Sequence, residues 1–187
     1  MEALILIGIQ ASGKSTFYRE RLFATHVRVS LDLLRTRHRE QSLVAWCLAH
    51  QQRFVVDNTN PTAAMRAVYI APARAHGFRV AGYYFESNVP ASIERNARRN
   101  GRERVPEAAI GGTRRILERP SPTEGFDTLY FVRIGPDGGF GGLAGCYLTN
   151  STPRCVSSRP PTTIVCYRGY GWWYCNAPLS LRCAITL

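Results

Sequence analysis

Lysine is almost missing from this chain. Of 24 basic side chains in 187 residues, all but Lys14 are arginine. Acids are scarce too, and 13 Asp and Glu leave a formal net charge of +11. An arginine excess of this kind is what a GC-rich coding bias produces, and most of the basic surface reads as solvated side chains. Against that background Lys14 is informative. The position keeps a compact ammonium on a flexible stem where a planar guanidinium would be the default. The basic balance also favours polyanionic partners such as nucleic acids and nucleotides.

Other absences narrow the class. The longest uninterrupted apolar run, Leu43 to Ala49, is far shorter than the roughly 20 residues a membrane helix needs. A secretory leader finds no support either. Glu2 stands where a basic region should be, and the apolar run Ala3–Ile7 feeds straight into glycine. A cytoplasmic protein without membrane contact is the expectation. There are six cysteines but no C-x-x-C pair, which argues against a zinc ribbon or a thioredoxin motif. Cys47 stands alone, and the other five fall between Cys146 and Cys183. No internal repeat is visible. With 45% hydrophobic residues, the chain can bury one core, and a domain near this size hides roughly 70% of its unfolded surface.

What is present changes character near residue 134. Before it, short apolar runs alternate with helical stretches. The strand-like runs are Ala3–Ile9, Val27–Ser30, Phe54–Val56, Val80–Phe85 and Thr128–Ile134. The helical stretches are Gly13–Phe23, Leu31–Gln52 in two pieces, a stretch from Asn60-Pro61 towards Gly77, and Val89–Asn100. Asn60 reads as an N-cap with Pro61 at the first helical position, Pro72 as a kink or break, and Gly101 as a C-cap. Apolar strands followed by helices predict a five-stranded parallel sheet covered on both faces, an α/β three-layer sandwich. Ligands in such sheets bind beyond the carboxyl ends of the strands. Residues 135–187 hold one acid, Asp137, and are rich in Gly, Pro, Cys and Tyr without helical or strand period. They read as an irregular, disordered tail after a domain spanning 1–134. A rival reading makes Tyr170, Trp172, Trp173 and Tyr174, with Arg168, a surface on which nucleic-acid bases stack.

Gly8-Ile9-Gln10-Ala11-Ser12-Gly13-Lys14-Ser15-Thr16 opens with G-x-x-x-x-G-K-[ST], between an apolar strand and a helix. That is the phosphate cradle of the P-loop proteins. Gly8 and Gly13 permit backbone angles that a Cβ would oppose. The loop N–H groups of Gln10, Ala11, Ser12, Gly13, Lys14, Ser15 and Thr16 would face the phosphates of ATP at a helix N-terminus. Lys14 would reach the β- and γ-phosphates, and the Ser15 hydroxyl would ligate Mg²⁺. The protein is therefore expected to bind ATP with Mg²⁺.

Three further segments fall at strand or helix ends. Asp32 and Arg35 follow the second strand at spacing i, i+3, which places them on one face of a helix start. Asp32 suits a base that accepts the proton of an attacking hydroxyl, and Arg35 suits a clamp on an anionic acceptor. Asp32 is equally readable as a first-turn acid favoured by the helix dipole. Asp57 directly follows Phe54–Val56, the Walker B arrangement in which a carboxylate holds the metal. Asn58 adds a neutral hydrogen-bonding group on the acceptor side, although Asp57–Asn60 also reads as an Asx turn. Arg95 and Arg99 share a helix face, an arrangement costing a helix about 0.2–0.5 kcal/mol unless an anion sits against it. A lid over the transferring phosphoryl group is one reading and a solvated basic helix the other.

Five segments in order resemble the P-loop polynucleotide 5′-kinase family, with zeta-toxin-like kinases as close kin. They are Gly8–Thr16, Asp32-x-x-Arg35, Val55-Val56-Asp57-Asn58-Thr59-Asn60-Pro61, Arg95-Asn96 with Arg99, and Pro120 with Glu124-Gly125-Phe126-Asp127. The resemblance covers residues 1–133 and implies a stand-alone kinase module. It implies transfer of the γ-phosphate of ATP to the 5′-hydroxyl of a single-stranded or end-exposed nucleic acid. It further implies Asp32 as general base, Arg35 on the acceptor's phosphate, and Lys14, Arg95 and Arg99 on the phosphates of ATP. Two rivals remain open: a small-metabolite kinase on the same fold, and a nucleotide-binding regulatory ATPase with no acceptor. The tail departs from the family pattern.

Overall fold

The computed structural model describes residues 1–135, 138–149, 152–155, 164–168 and 171–175. Five parallel strands form the centre of the molecule: β1 (Glu2–Ile7), β2 (Val27–Val29), β3 (Phe54–Val56), β4 (Arg79–Phe85) and β5 (Thr128–Ile134). Their spatial order is β2-β3-β1-β4-β5, with β1 paired to β3 on one side and β4 on the other. The first crossover therefore leaves β1 in one direction and a later one returns on its other flank. That reversal opens a crevice at the carboxyl end of β1, where Gly8 begins.

The alternation of β1 shows how the layers form. Ala3, Ile5 and Ile7 enter one core cluster with Val29, Phe54, Val56, Tyr69, Ile70 and Ile110. Leu4 and Leu6 enter the other, with Phe17, Tyr18, Leu22, Val55 and Phe85. The pleat thus sends successive apolar residues to opposite faces, as a sheet covered on both sides requires. The second face is covered by α1 (Lys14–Phe17), which continues as one π-helical turn, Tyr18–Leu22. The first face is covered by α3 (Arg37–Ala49) and α4 (Ala63–Ala75), after the single turn α2 (Leu31–Leu34). Helices α5 (Val89–Ala97) and α6 (Glu107–Ile116) follow β4. The fold is the P-loop α/β three-layer sandwich.

Four local expectations are corrected. The N-cap of α4 is Thr62, whose hydroxyl accepts from Met65 N–H, while Asn60 is buried in a left-handed conformation with its amide donating to the Leu6 carbonyl at 2.8 Å. Pro72 does not break α4. The carbonyl that loses its partner belongs to Val68, four residues back on the exposed side of the helix, where water can satisfy it. Helix α5 ends at Ala97 rather than Asn100, and Gly101 opens a 3-10 turn instead of capping it. The cause is Asn96. Its side chain donates to the Val105 carbonyl at 2.7 Å and accepts the Val105 N–H at 3.0 Å, pulling the chain back. Finally, the sheet does not close at Ile134. After a glycine turn with Gly138 at φ 78°, β6 (Phe140–Thr149) pairs antiparallel with β5, and β7 (Thr152–Cys155) with β6. A separate ribbon joins β8 (Ile164–Arg168) to β9 (Gly171–Cys175). The rest of the expected irregular tail, together with Tyr170, lies outside the described residues.

Helix α6 was not anticipated. Its central Gly111-Gly112 weakens the helical signal, and the helix is held by Ile110, which is fully buried.

Candidate active site

The glycine loop takes the conformation its sequence calls for. Gly13 has φ 97°, and a Cβ there would lie 2.8 Å from Ile134 Cδ1. Gly8 donates its N–H to the Thr59 carbonyl at 3.0 Å, tying the loop to the end of β3. Lys14 opens α1 with its ammonium folded over the loop, donating to the carbonyls of Gly8 at 2.9 Å and Ile9 at 2.6 Å. Burial lowers its pKa to about 8. Arg99 pushes in the same direction, while Asp57 and Asp32 oppose it. The charges of Asp32, Asp57 and Arg99 thus all act on the Lys14 ammonium.

Ser15 and Asp57 converge, the hydroxyl donating to Asp57 Oδ2 at 2.9 Å. A hard hydroxyl oxygen and a buried carboxylate, side by side, are a donor set that fits Mg²⁺. This ion characteristically takes one or two protein oxygens and completes its shell with water and phosphate. Among the described residues no group of three or more His, Cys, Asp or Glu is gathered for a metal, so a cation here would rely on oxygens from its ligand. The Thr16 hydroxyl accepts from Arg19 at 3.5 Å. Ser12 is buried, with its hydroxyl 3.4 Å from the Lys14 ammonium.

Arg95 reaches across from α5 and donates to the Ala11 carbonyl at 2.7 Å and to Ser92 Oγ at 3.2 Å. Burial lowers its pKa. Ala11 has φ 56°, so the guanidinium braces the one strained non-glycine position in the cradle. Arg99 is not on the face of Arg95 as its spacing predicts. It lies past the end of α5, with its guanidinium 3.4 Å from the Glu103 carbonyl. Gln10 donates to Thr113 of α6 at 2.9 Å, so the unanticipated helix touches the loop.

Asp32 and Arg35 are both exposed. They do not share a helix face as predicted, because α2 is a single turn and Arg35 caps it with φ 67°. Asn58, expected on an acceptor, is engaged at both ends. Its carbonyl accepts the Leu31 N–H at 3.0 Å and its amide donates to Glu40 at 2.5 Å. Glu40 is buried, paired with Arg37 at 2.7 Å, and Arg37 also donates to Tyr69 at 3.1 Å. Burial, then Glu40, push the Tyr69 hydroxyl up to about 12. This network fixes the seat of α2 beneath Asp32.

Sequence reasoning missed Glu40, Arg37 and Arg28, whose Nε and Nη2 donate to Asp57 Oδ2 at 2.8 and 2.5 Å. An arginine between two valines of a short strand was the available signal. It also missed Arg66, fully buried on α4 and held by Glu124 at 2.6 and 2.8 Å. Glu124 and Asp127 of the fifth resembling segment are thus structural. Glu124 closes a capping box and anchors Arg66, and Asp127 accepts the Val80 N–H at 2.7 Å.

With this geometry in place, comparison with known proteins decides the family. The family described as AAA domain matches residues 4–120. The chain belongs to the AAA domain family. Among curated relatives it is similar to a bifunctional polynucleotide phosphatase/kinase of Schizosaccharomyces pombe, 26% identical over 132 residues. That match takes in 68% of this chain and 32% of the yeast protein, so the chain spans about a third of that relative's length. Among solved structures it is similar to a gluconokinase of Sinorhizobium meliloti, with TM-score 0.54, 16% identity, and 72% and 83% of the two chains covered. It is also similar to Kti12 of Chaetomium thermophilum in complex with ADP-AlF3, with TM-score 0.51, 16% identity, and 73% and 92% covered. At such identities the structures show the fold. Family and fold together make this AAA domain a kinase-like, ATP-using P-loop domain. Among the described residues no helix is long and apolar enough to cross a membrane.

Proposed function

We propose that this AAA domain protein is an ATP-dependent kinase that phosphorylates the 5′-hydroxyl end of a nucleic acid. The observation that carries the reading is the placement of Asp32. It is exposed to solvent, yet close enough to the cradle for its charge to act on Lys14. A base must stand there to take a proton from a hydroxyl approaching the γ-phosphate. Arg35, exposed beside it, offers a fork to an anionic group of the acceptor. The polynucleotide kinase activity named for the yeast relative supports this acceptor class, as does the net charge of +11.

In this reading the loop N–H groups and Lys14 hold the β- and γ-phosphates. Arg95 and Arg99 counter the charge that develops on the transferring group. Ser15 and Asp57 would hold Mg²⁺, which would supply positive charge against the phosphates. Asp32 receives the acceptor's proton, and Asn58 with Glu40 keeps its helix seated. A cytoplasmic setting supplies ATP and Mg²⁺ together. The working domain is proposed to extend as far as Phe140, whose ring packs on Phe17.

The test is transfer of label from γ-labelled ATP to short 5′-hydroxyl DNA and RNA strands, with and without Mg²⁺, beside gluconate and other sugar hydroxyls. Labelled strands in the Mg²⁺ arm alone are the expected result. Label on a sugar and on no strand would replace this reading with a small-metabolite kinase. ATP turnover indifferent to every hydroxyl would replace it with a regulatory ATPase.

A further inference from the structure

Arg28 is the charged side chain at the site that no motif explains. It stands on β2 between Val27 and Val29 and crosses to the end of β3. Its two donors meet Asp57 Oδ2, the same oxygen that accepts the Ser15 hydroxyl. The Asp57 side chain is 1% exposed and that of Arg28 is 24% exposed. The guanidinium also lies 5.4 Å from the centre of the Tyr18 ring, packed as well as paired.

A carboxylate this buried is strongly disfavoured without a partner. Arg28 supplies that partner from within the fold, so Asp57 is neutralised before any cation arrives. The same contact works against a free divalent cation. The Lys14 ammonium already acts on Asp57, so Asp57, Arg28 and Lys14 together carry a net positive charge. With Arg99 and Asp32, which also act on Lys14, a dication entering alone meets three cations and two anions, and must displace donors from the oxygen it needs. Mg²⁺ also gives up its water reluctantly. Polyphosphate reverses the balance by bringing negative charge of its own.

We infer that Arg28 is an internal counter-ion of Asp57 that competes with free divalent cations, so that the site retains a metal only when the metal enters with phosphate. This rests on the proposed role of Asp57 as a metal ligand.

The test uses the full chain and Mn²⁺ as probe, counting unbound Mn²⁺ by its electron paramagnetic resonance signal. Without nucleotide, the unaltered protein binds Mn²⁺ weakly. Arg28→Gln, which removes the competing charge, tightens that binding by about tenfold to a hundredfold, the scale of one charge-assisted hydrogen bond. Arg28→Lys keeps the charge and stays close to the unaltered protein. Adding Asp57→Asn to Arg28→Gln erases the gain. Mn²⁺ also raises the melting temperature of Arg28→Gln more than that of the parent. If Arg28→Gln does not fold alone, Mn²⁺ during refolding restores it, and failure to do so counts against the inference. Unchanged Mn²⁺ affinity in a folded Arg28→Gln protein overturns it. A separate arm with Mn²⁺ and a non-hydrolysable ATP analogue isolates the underlying reading. If Asp57→Asn binds that complex as tightly as the parent, Asp57 is no metal ligand. If it binds poorly while Arg28→Gln shows no gain, only the role of Arg28 fails.

Discussion

The carbonyl oxygen of the Asn58 side chain accepts the backbone N–H of Leu31 at 3.0 Å, fastening the first turn of α2 to the end of β3. Asp32 is the next residue. A single turn has too few internal hydrogen bonds to persist alone, so this external bond holds the proposed base in place. Ser30, at the N-cap, makes no side-chain cap bond that could substitute.

Asn58→Ala should therefore act on both stability and turnover. It leaves the Leu31 N–H and one Glu40 oxygen without their partner, at a cost of about 1–3 kcal/mol each if water cannot reach them. Denaturant unfolding should register the loss. ATP affinity should change little, because the Asn58 side-chain hydrogen bonds go to Leu31, Glu40 and Tyr69 and not to the cradle, while kcat falls. An Asn58→Ala protein with normal stability and normal turnover would show that α2 is seated by other contacts.

The cradle was legible because its physics is local. Gly8, Gly13, Lys14 and Ser15 work at fixed spacing on one turn of chain. The five strands were legible for a related reason, being apolar runs bounded by helix starts. Asp57 could be placed because it directly follows β3. The Glu40–Arg37–Asn58–Tyr69 network could not, since its members come from three elements whose packing no short window encodes. Arg66 and Glu124 stand 58 residues apart and meet only once α4 docks. Arg99 was misplaced because a sequence pattern extends a helix until something stops it. Here the stop is a bond from Asn96 to Val105, invisible at the level of spacing.

The lowered pKa of Lys14, about 8, gives a pH dependence with a definite sign. Between about 8 and the ordinary lysine value of 10.5, the unfolded chain holds a proton that the folded, nucleotide-free protein has released. Stability of the free protein should therefore rise with pH through that window. Nucleotide binding should run the other way. Phosphate favours the ammonium, so ATP affinity should weaken as pH climbs above about 8, with proton uptake on binding. Titration calorimetry in buffers of different ionisation enthalpy measures that uptake. Lys14→Met should remove both the uptake and most of the affinity, and an uptake that survives in Lys14→Met would assign the proton elsewhere.

Asp32→Asn separates chemistry from binding. The side chain is exposed and its charge acts on Lys14 only as the smallest of several influences, so stability should change by less than about 0.5 kcal/mol. ATP should bind nearly as before. Turnover with the hydroxyl acceptor should fall by about 10²–10⁴, the usual contribution of a positioned base. Arg35→Ala should instead raise the Michaelis constant for the acceptor, by an amount equivalent to about 1.5–3 kcal/mol, and leave that for ATP alone. Near-normal turnover in Asp32→Asn would reduce Asp32 to a helix-start acid.

Truncation tests where the working domain ends. Residues 141–187 are expected to be dispensable, since every cradle and rim residue precedes β5. Phe140 is different. Its ring lies 5.2 Å from Phe17 and 6.4 Å from Phe85 between ring centres, both edge-on. It also comes within 3.2 Å of where a Gly13 Cβ would sit. It thus backs the helix that carries Lys14 and Ser15. A protein ending at Phe140 should keep a cooperative melting transition and bind ATP, with β5 taking over as an edge strand. One ending at Ile134 should lose the packing of an aromatic ring, about 1–3 kcal/mol for partial burial, and bind ATP less tightly. The exposed β5 edge brings a tendency to associate, so both proteins should be measured at low concentration. If the chain ending at Phe140 has no melting transition, the pairing of β6 with β5 is part of the fold and the boundary belongs beyond Thr149.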